Sequence, residues 1–486
     1  MNALLPPSQA FGLLAGFAAV MIVLVIFLDT RRQGSQTREH FLVANRNVRW
    51  WHGSLSIAVS WVWAPAIFIT ALQSYTKGIA GAFWFIAPNI LCFFLFAPLA
   101  LRLRTLVPNG YTMPEFIITR YKGSKYAHIA FLLVFFGYQI GALIINALAG
   151  GTLLAVLTGV NFHLCVVAMS VTALIYSLIS GMEASVITDV IQMLMILLIG
   201  FILVPFVLVE AGGMQAVLGG LGGVSGEFGN ILHPGIAFAF GIPMTLGLLS
   251  GPIGDQMFFQ RAYAVRAHHI IRTFVIGGLL FGIVPILLSL LGFVAANPAF
   301  GIDVADPQMV SPIVIAYFLP QWALLLFTLM AFAGLASTID SAYVALSSLG
   351  AIDIYKHYVH PNPSDTQILK ASRITMIAMA VVGTGIALLR PQLLWVFLIY
   401  GALASAGFFP TILSLCWNRI TANGAATAVV ASLLVGTPLS FYANITGNET
   451  LVVIAAIASI AIGGVILLVN GIMNKEPTVD FAHMEH

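Results

Sequence analysis

Apolar residues in this chain fall in long runs separated by short polar stretches. A helix needs about 20 apolar residues to cross the hydrocarbon core of a bilayer. On that criterion the pattern predicts about thirteen spanning helices. They cover 9–28, 51–75, 80–101, 126–157, 161–180, 185–209, 236–259, 272–295, 311–351, 370–389, 391–416, 423–442 and 450–473. The run 311–351 exceeds one crossing and is expected to tilt or protrude. The alternating ten-residue strands of a transmembrane barrel are absent from the pattern.

Composition agrees: 60% of residues are hydrophobic and 8% are charged. A soluble core needs far less apolar surface, so the chain reads as an all-α membrane protein. Its expected surroundings are the lipid of an inner or plasma membrane, with no nucleic acid or protein partner. The inter-span loops leave no room for a soluble domain, so 1–486 is expected to be one transmembrane unit. Cys92, Cys165 and Cys416 have neither metal-ligand spacing nor a disulfide pattern.

Charge fixes an expected orientation. With the N-terminus outside, alternation puts all but Lys77 and Arg390 of the 20 lysines and arginines in inner loops. That satisfies the positive-inside rule and puts the C-terminus inside.

Two spans carry helix-breaking residues: Ser60-Trp61-Val62-Trp63-Ala64-Pro65, and Gly241-Ile242-Pro243 followed by Gly247, Gly251-Pro252 and Gly254. Proline removes a backbone donor and clashes with the preceding turn. The breaks open two five-span blocks, 51–211 and 236–416, which start on opposite faces. Residues 1–50 and 423–486 then add an N-terminal helix with its loop, and two further helices with a tail. Matched breaks in inverted blocks point to a transport site at mid-membrane. Ordinary kinks are the competing explanation.

Two acids, Asp189 and Asp340, lie in apolar spans. A carboxylate there costs about 2.5–3.5 kcal/mol or more unless it is paired or hydrated.

Four motifs resemble the sodium/solute symporter family. They are Gly181-Met182-Glu183-Ala184-Ser185-Val186-Ile187-Thr188-Asp189-Val190-Ile191-Gln192, Gln260-Arg261-Ala262, Ala336-Ser337-Thr338-Ile339-Asp340-Ser341 with Asp353-Ile354-Tyr355-Lys356, and Trp417-Asn418-Arg419 with Gly424-Ala425. The resemblance implies a leucine-transporter-like (LeuT-like) core of five plus five inverted helices. It also implies Na⁺ as coupling ion, with no organic cofactor. Its sodium site maps onto the carbonyls of Val59, Val62 and Gly334 and the hydroxyls of Ser337 and Thr338. Gly334, Ser337, Thr338 and Ser341 share one helix face, although such hydroxyls also bond back to their own helix. Asp189, Asp340 and Ser341 map near a second sodium site of some members. Asp340 stands where those members have serine, so proton coupling through Asp189 and Asp340 is the alternative reading.

Residues in and around the breaks make a solute pocket: Trp63, Gln73, Trp84, Asn89, Gln139, Asp255, Gln256 and Tyr400, with Trp61 beside them. Amides and indoles suit a small polar solute. Ser60–Ala64, Asp255–Ala262 and Gly81-Ala82-Phe83-Trp84 look most like the urea-active transporter branch, implying a urea-like neutral solute. A sodium-indifferent channel or facilitator is the other competing class. Membrane enzyme chemistry is disfavoured, because the spans hold no nucleophile–base pair or metal-ligand cluster.

Overall fold

The computed structural model describes residues 5–31, 36–391, 393–481 and 484. Among them every regular element is helical, apart from a bridge pairing Val48 with Val265. Helices meet the main demand of hydrocarbon, which offers backbone polar groups no outside partner. The membrane-length run opens with α1 (Pro7–Arg31). Next come α2 (Trp50–Ser60), a break, and α3 (Thr70–Leu106), which is led in by a wide helical turn at Pro65–Ile69. Then follow α4 (Lys125–Thr158) and α5 (Phe162–Glu210). A second broken element consists of α6 (Ile242–Ser250) and α7 (Gln256–Ala264). The remainder is α8 (Ile270–Ala296), α9 (Gln321–Ser348), α10 (Asp365–Leu388), α11 (Leu393–Cys416), α12 (Ala422–Thr446) and α13 (Glu449–Met473).

Twelve helices among the described residues are long and apolar enough to cross a membrane, against the thirteen expected. The difference falls at 51–101. α2 is too short to cross alone, and α3 runs continuously from the break to Leu106, bending at Lys77 and Gly78. Gly78 has φ 52°, and a Cβ there would lie 2.4 Å from the Leu221 carbonyl, so only glycine fits. α5 joins the expected spans 161–180 and 185–209 through a similar bend at Gly181.

The expected single run 311–351 is two helices. Val310–Phe318 ends before Pro320, which caps α9, and α9 continues through a wide helical turn to Val359. The residue before a proline is pushed out of the helical region, which accounts for the division at Leu319.

The basic loops gather at one end. Arg46 donates to the carbonyls of Asn109 (2.8 Å) and Gly110 (2.9 Å), Arg120 to those of Trp417 and Ile420, and Lys356 lies 3.1 Å from Glu115. α9 is buried along nearly all its length, whereas α1, α12 and α13 leave broad apolar faces exposed.

Candidate functional site

The first break begins where α2 loses its hydrogen-bond ladder before Pro65. Trp61 and Val62 close a tight turn by donating their N–H groups to the carbonyls of Ala58 and Val59. The Ala64 N–H has no helical partner and donates to Asn146 Oδ1 of α4 at 3.0 Å. Asn146 did not stand out in the sequence. Its signal is a lone amide in the middle of an apolar span, which must find partners somewhere.

Within the expected series the second break lies at Gly251–Asp255, and Gly241-Ile242-Pro243 stays helical. Pro243 directly follows a wide helical turn at Ala237–Gly241, and the chain stays helical through it from Pro234 to Ser250. Gly251–Gly254 form a 3₁₀ turn, and Asp255 is extended. Asp255 Oδ1 then caps α7 by accepting the Met257 N–H at 2.7 Å. The two breaks touch: a Cβ on Gly251 would lie 2.6 Å from the Trp61 ring.

α9 packs against the first break. The Thr338 hydroxyl lies 3.2 Å from the Gly334 carbonyl and 3.3 Å from the Ser60 carbonyl. A Cβ on Gly334 would lie 2.8 Å from the Val62 carbonyl. The Ser60 and Gly334 carbonyls therefore converge on the Thr338 hydroxyl, and the Val62 carbonyl lies close beside Gly334. Two members of the expected set are engaged otherwise. The Val59 carbonyl accepts from Val62, and Ser337 donates to Asp189 Oδ1 at 2.5 Å.

Asp189 differs from expectation more sharply. Its Oδ2 accepts from Arg261 Nη2 (2.8 Å) and from the Ser56 hydroxyl (2.6 Å). Arg261 also donates to Ser341 Oγ at 2.7 Å and to Ser56 Oγ at 2.9 Å. The sequence places Arg261 in an inner loop, yet its side chain is 2% exposed. α7 is short enough to carry it inward beside α5, and the buried acid is thereby neutralised. Asp340 faces elsewhere. Its Oδ1 accepts from Ser177 Oγ at 2.6 Å, and no ion pair joins it among the described residues. Asp189 and Asp340 do not share one ligand set, and Ser341 belongs to the arginine cluster.

Beside the breaks runs a cavity of about 640 Å³, from His233 and Glu449 at the end opposite the basic loops down to Trp61 and Gly251. Trp63 and Tyr400 line it as expected, their ring centroids 5.3 Å apart. Tyr400 also stacks on Tyr138 at 3.7 Å. The other expected pocket residues lie off the cavity wall. Asn89 accepts from Trp61 Nε1 at 2.9 Å and so anchors that indole. Gln73 accepts from Lys77 Nζ at 2.7 Å, and it is Lys77 that reaches the cavity. Trp84 packs on Gly241. Gln139 and Asp255 bond each other at 2.6 Å. Gln256 bridges to the basic end, accepting from the Met113 N–H and donating to the Tyr111 carbonyl and Ser348. Amide positions in the sequence say that partners exist. They do not say whether those partners are solute or protein.

A profile of the Sodium:solute symporter family matches residues 41–432. The "Probable urea active transporter 1" of Schizosaccharomyces pombe is 26% identical over 455 residues, covering 87% of this chain and 68% of the relative. The "Urea-proton symporter DUR3" of Oryza sativa subsp. japonica is 25% identical over 459 residues, covering 86% and 63%. The chain thus spans about two thirds of these relatives' length. A solved Na⁺-coupled sialic acid symporter, substrate-bound and outward-open, superposes with a TM-score of 0.78 at 18% identity, covering 95% of this chain and 97% of that one. Mhp1, a nucleobase-cation-symport-1 family transporter in a closed conformation, gives 0.55 at 15% identity. These two likenesses speak to the LeuT-like, all-helical fold.

Proposed function

This chain belongs to the sodium:solute symporter family, and we propose that it is a secondary active symporter for a small polar organic solute. The solute enters the cavity above Trp61, Trp63 and Tyr400. Its uptake is driven by Na⁺ held between the first break and α9. The observation that carries this reading is the convergence of the Thr338 hydroxyl with the Gly334 and Ser60 carbonyls at an unwound helix. Sodium is a hard cation that takes oxygen ligands, and an unwound helix frees carbonyls to supply them. The nearby Val62 carbonyl completes the candidate set, with Ser60 in the place expected for Val59.

The same geometry supports alternating access. With the basic loops inside, the cavity faces out and the Gln256 bridge closes the inner end. Ion and solute together stabilise a state in which that bridge parts. Urea is the favoured solute: similar proteins include a urea active transporter and a urea-proton symporter, and the cavity wall mixes indoles with few charges.

Proton coupling is the second reading. It is favoured by Asp340, a fully buried carboxyl without an ion-pair partner among the described residues. One experiment separates the two. Purified protein in liposomes is given labelled urea under a Na⁺ gradient at equal pH, and under a pH gradient without Na⁺. Accumulation in the first arm supports sodium symport, and accumulation in the second alone supports proton symport. Equilibration that ignores both gradients would leave a facilitator.

A further inference from the structure

Between the cavity floor and the inner bridge lies a pair of side chains that the outward cavity does not use. Asp255 follows Gly251–Gly254, the turn against which Trp61 packs, and precedes Gln256, the bridge to Met113 and Tyr111. Asp255 Oδ1 is fully committed, to the Met257 N–H and to Gln139 Nε2. Among the described residues its Oδ2 has no partner, and neither has Gln139 Oε1, though both side chains are 0% exposed. Buried acceptors without donors are rare in folded proteins, and each calls for an explanation. Neither Lys nor Arg ion-pairs with Asp255 among the described residues; Arg261, on the same short helix, is engaged by Asp189. The pair therefore lacks N–H donors, and Asp255 stands in the chain between the turn under the cavity and the Gln256 bridge.

Resting on the symporter reading above, we infer that Asp255 and Gln139 form a second solute subsite, which accepts N–H groups from a planar solute of the urea or amidinium class. The Tyr138–Tyr400 stack lines the cavity, and both rings lie near Asp255. A solute leaves the aromatic pocket when those rings part, and its N–H groups then meet Asp255 Oδ2 and Gln139 Oε1. Discrimination arises here because a buried acceptor rejects a ligand that brings no donor. The aromatic cavity selects for flat shape, and the inner pair selects for N–H.

The substitution Asp255→Asn tests this with little change of shape. Asparagine caps a helix as well as aspartate, so Oδ1 keeps Met257, while Oδ2 becomes a donor. Wild-type protein in liposomes takes up labelled urea, and methylurea and guanidinium compete in the neutral and cationic arms. Tetramethylurea, which has no N–H, does not compete. D255N lowers urea uptake about 10- to 100-fold, the loss expected for a charged acceptor. It also lets tetramethylurea compete, because its new amide donor suits a bare carbonyl. A purely structural role would lower uptake without reordering the competitors. Gln139→Ala lowers urea uptake in the same direction, and it decides the matter should D255N fail to elute as folded protein. Wild-type urea uptake with D255N and Q139A both keeping the wild-type rate and competitor order overturns the subsite alone. Wild-type protein that transports no N–H-bearing solute overturns the symporter reading for this solute class, and the subsite with it.

Discussion

Arg261 Nη2 lies 2.8 Å from Asp189 Oδ2, with both side chains withdrawn from solvent at the junction of α2, α5, α7 and α9. The guanidinium donates in addition to Ser56 and Ser341. It fills the place where a second cation beside Asp189 was expected, so the cluster carries its own positive charge. A single exchangeable cation at the Thr338 position is consistent with that arrangement.

Removing the guanidinium strands a buried carboxylate. Arg261→Met is expected to destabilise the protein by about 3–5 kcal/mol. The double change Arg261→Met with Asp189→Leu recovers much of that loss, since it removes both charges. Thermal unfolding in detergent measures both. A double variant no more stable than the single one would deny the pair its stabilising role.

Thr338→Ala removes one oxygen from the converging set without disturbing Ser60 or Gly334. The Na⁺ concentration giving half-maximal uptake rises about tenfold, as expected for losing roughly 1.4 kcal/mol of charge-assisted ligation. Thr338→Ser keeps the oxygen and stays near wild type. The measurement is uptake against external Na⁺, and equal curves for both variants would remove Thr338 from the site.

Asp340→Asn distinguishes ion sensing from proton handling. Asparagine keeps the bond from Ser177 but holds no exchangeable proton. If Asp340 carries the coupling proton, uptake driven by a pH gradient disappears while Na⁺-driven uptake persists. If it only ties α5 to α9, both drives scale down together. The readout is the ratio of the two uptake rates.

Gln256→Ala cuts three contacts that join α7 to the segment around Tyr111 and to α9. Each is worth about 0.5–1.5 kcal/mol, so the inward-open population rises by about tenfold or more. A cysteine placed at Ser348 in the Gln256→Ala background reacts faster with a membrane-impermeant thiol reagent supplied from the inner side. Unchanged labelling would show that the inner end is closed by other contacts.

Much of the architecture was legible in one dimension because bilayer length and side-chain polarity act locally. A run of apolar residues spans, most basic residues stay in water, and Pro65 follows the point where α2 loses its ladder. Those rules located most of the spans, the first break and the end where the basic loops gather. They did not tell which of the second series of breakers ends the helix: the chain runs through Pro243 after a wide helical turn and breaks only at Gly251–Asp255. They also missed Leu319-Pro320 as a division within 311–351. Side-chain partners were beyond them. Arg261 reads as a loop residue until α7 carries it to Asp189. Asn89, Gln73 and Gln256 read as pocket amides until Trp61, Lys77 and Met113 claim them. Local chemistry states that a buried polar group needs a partner. Which partner it obtains is set by the packing of helices distant in sequence, and only the folded bundle decides that.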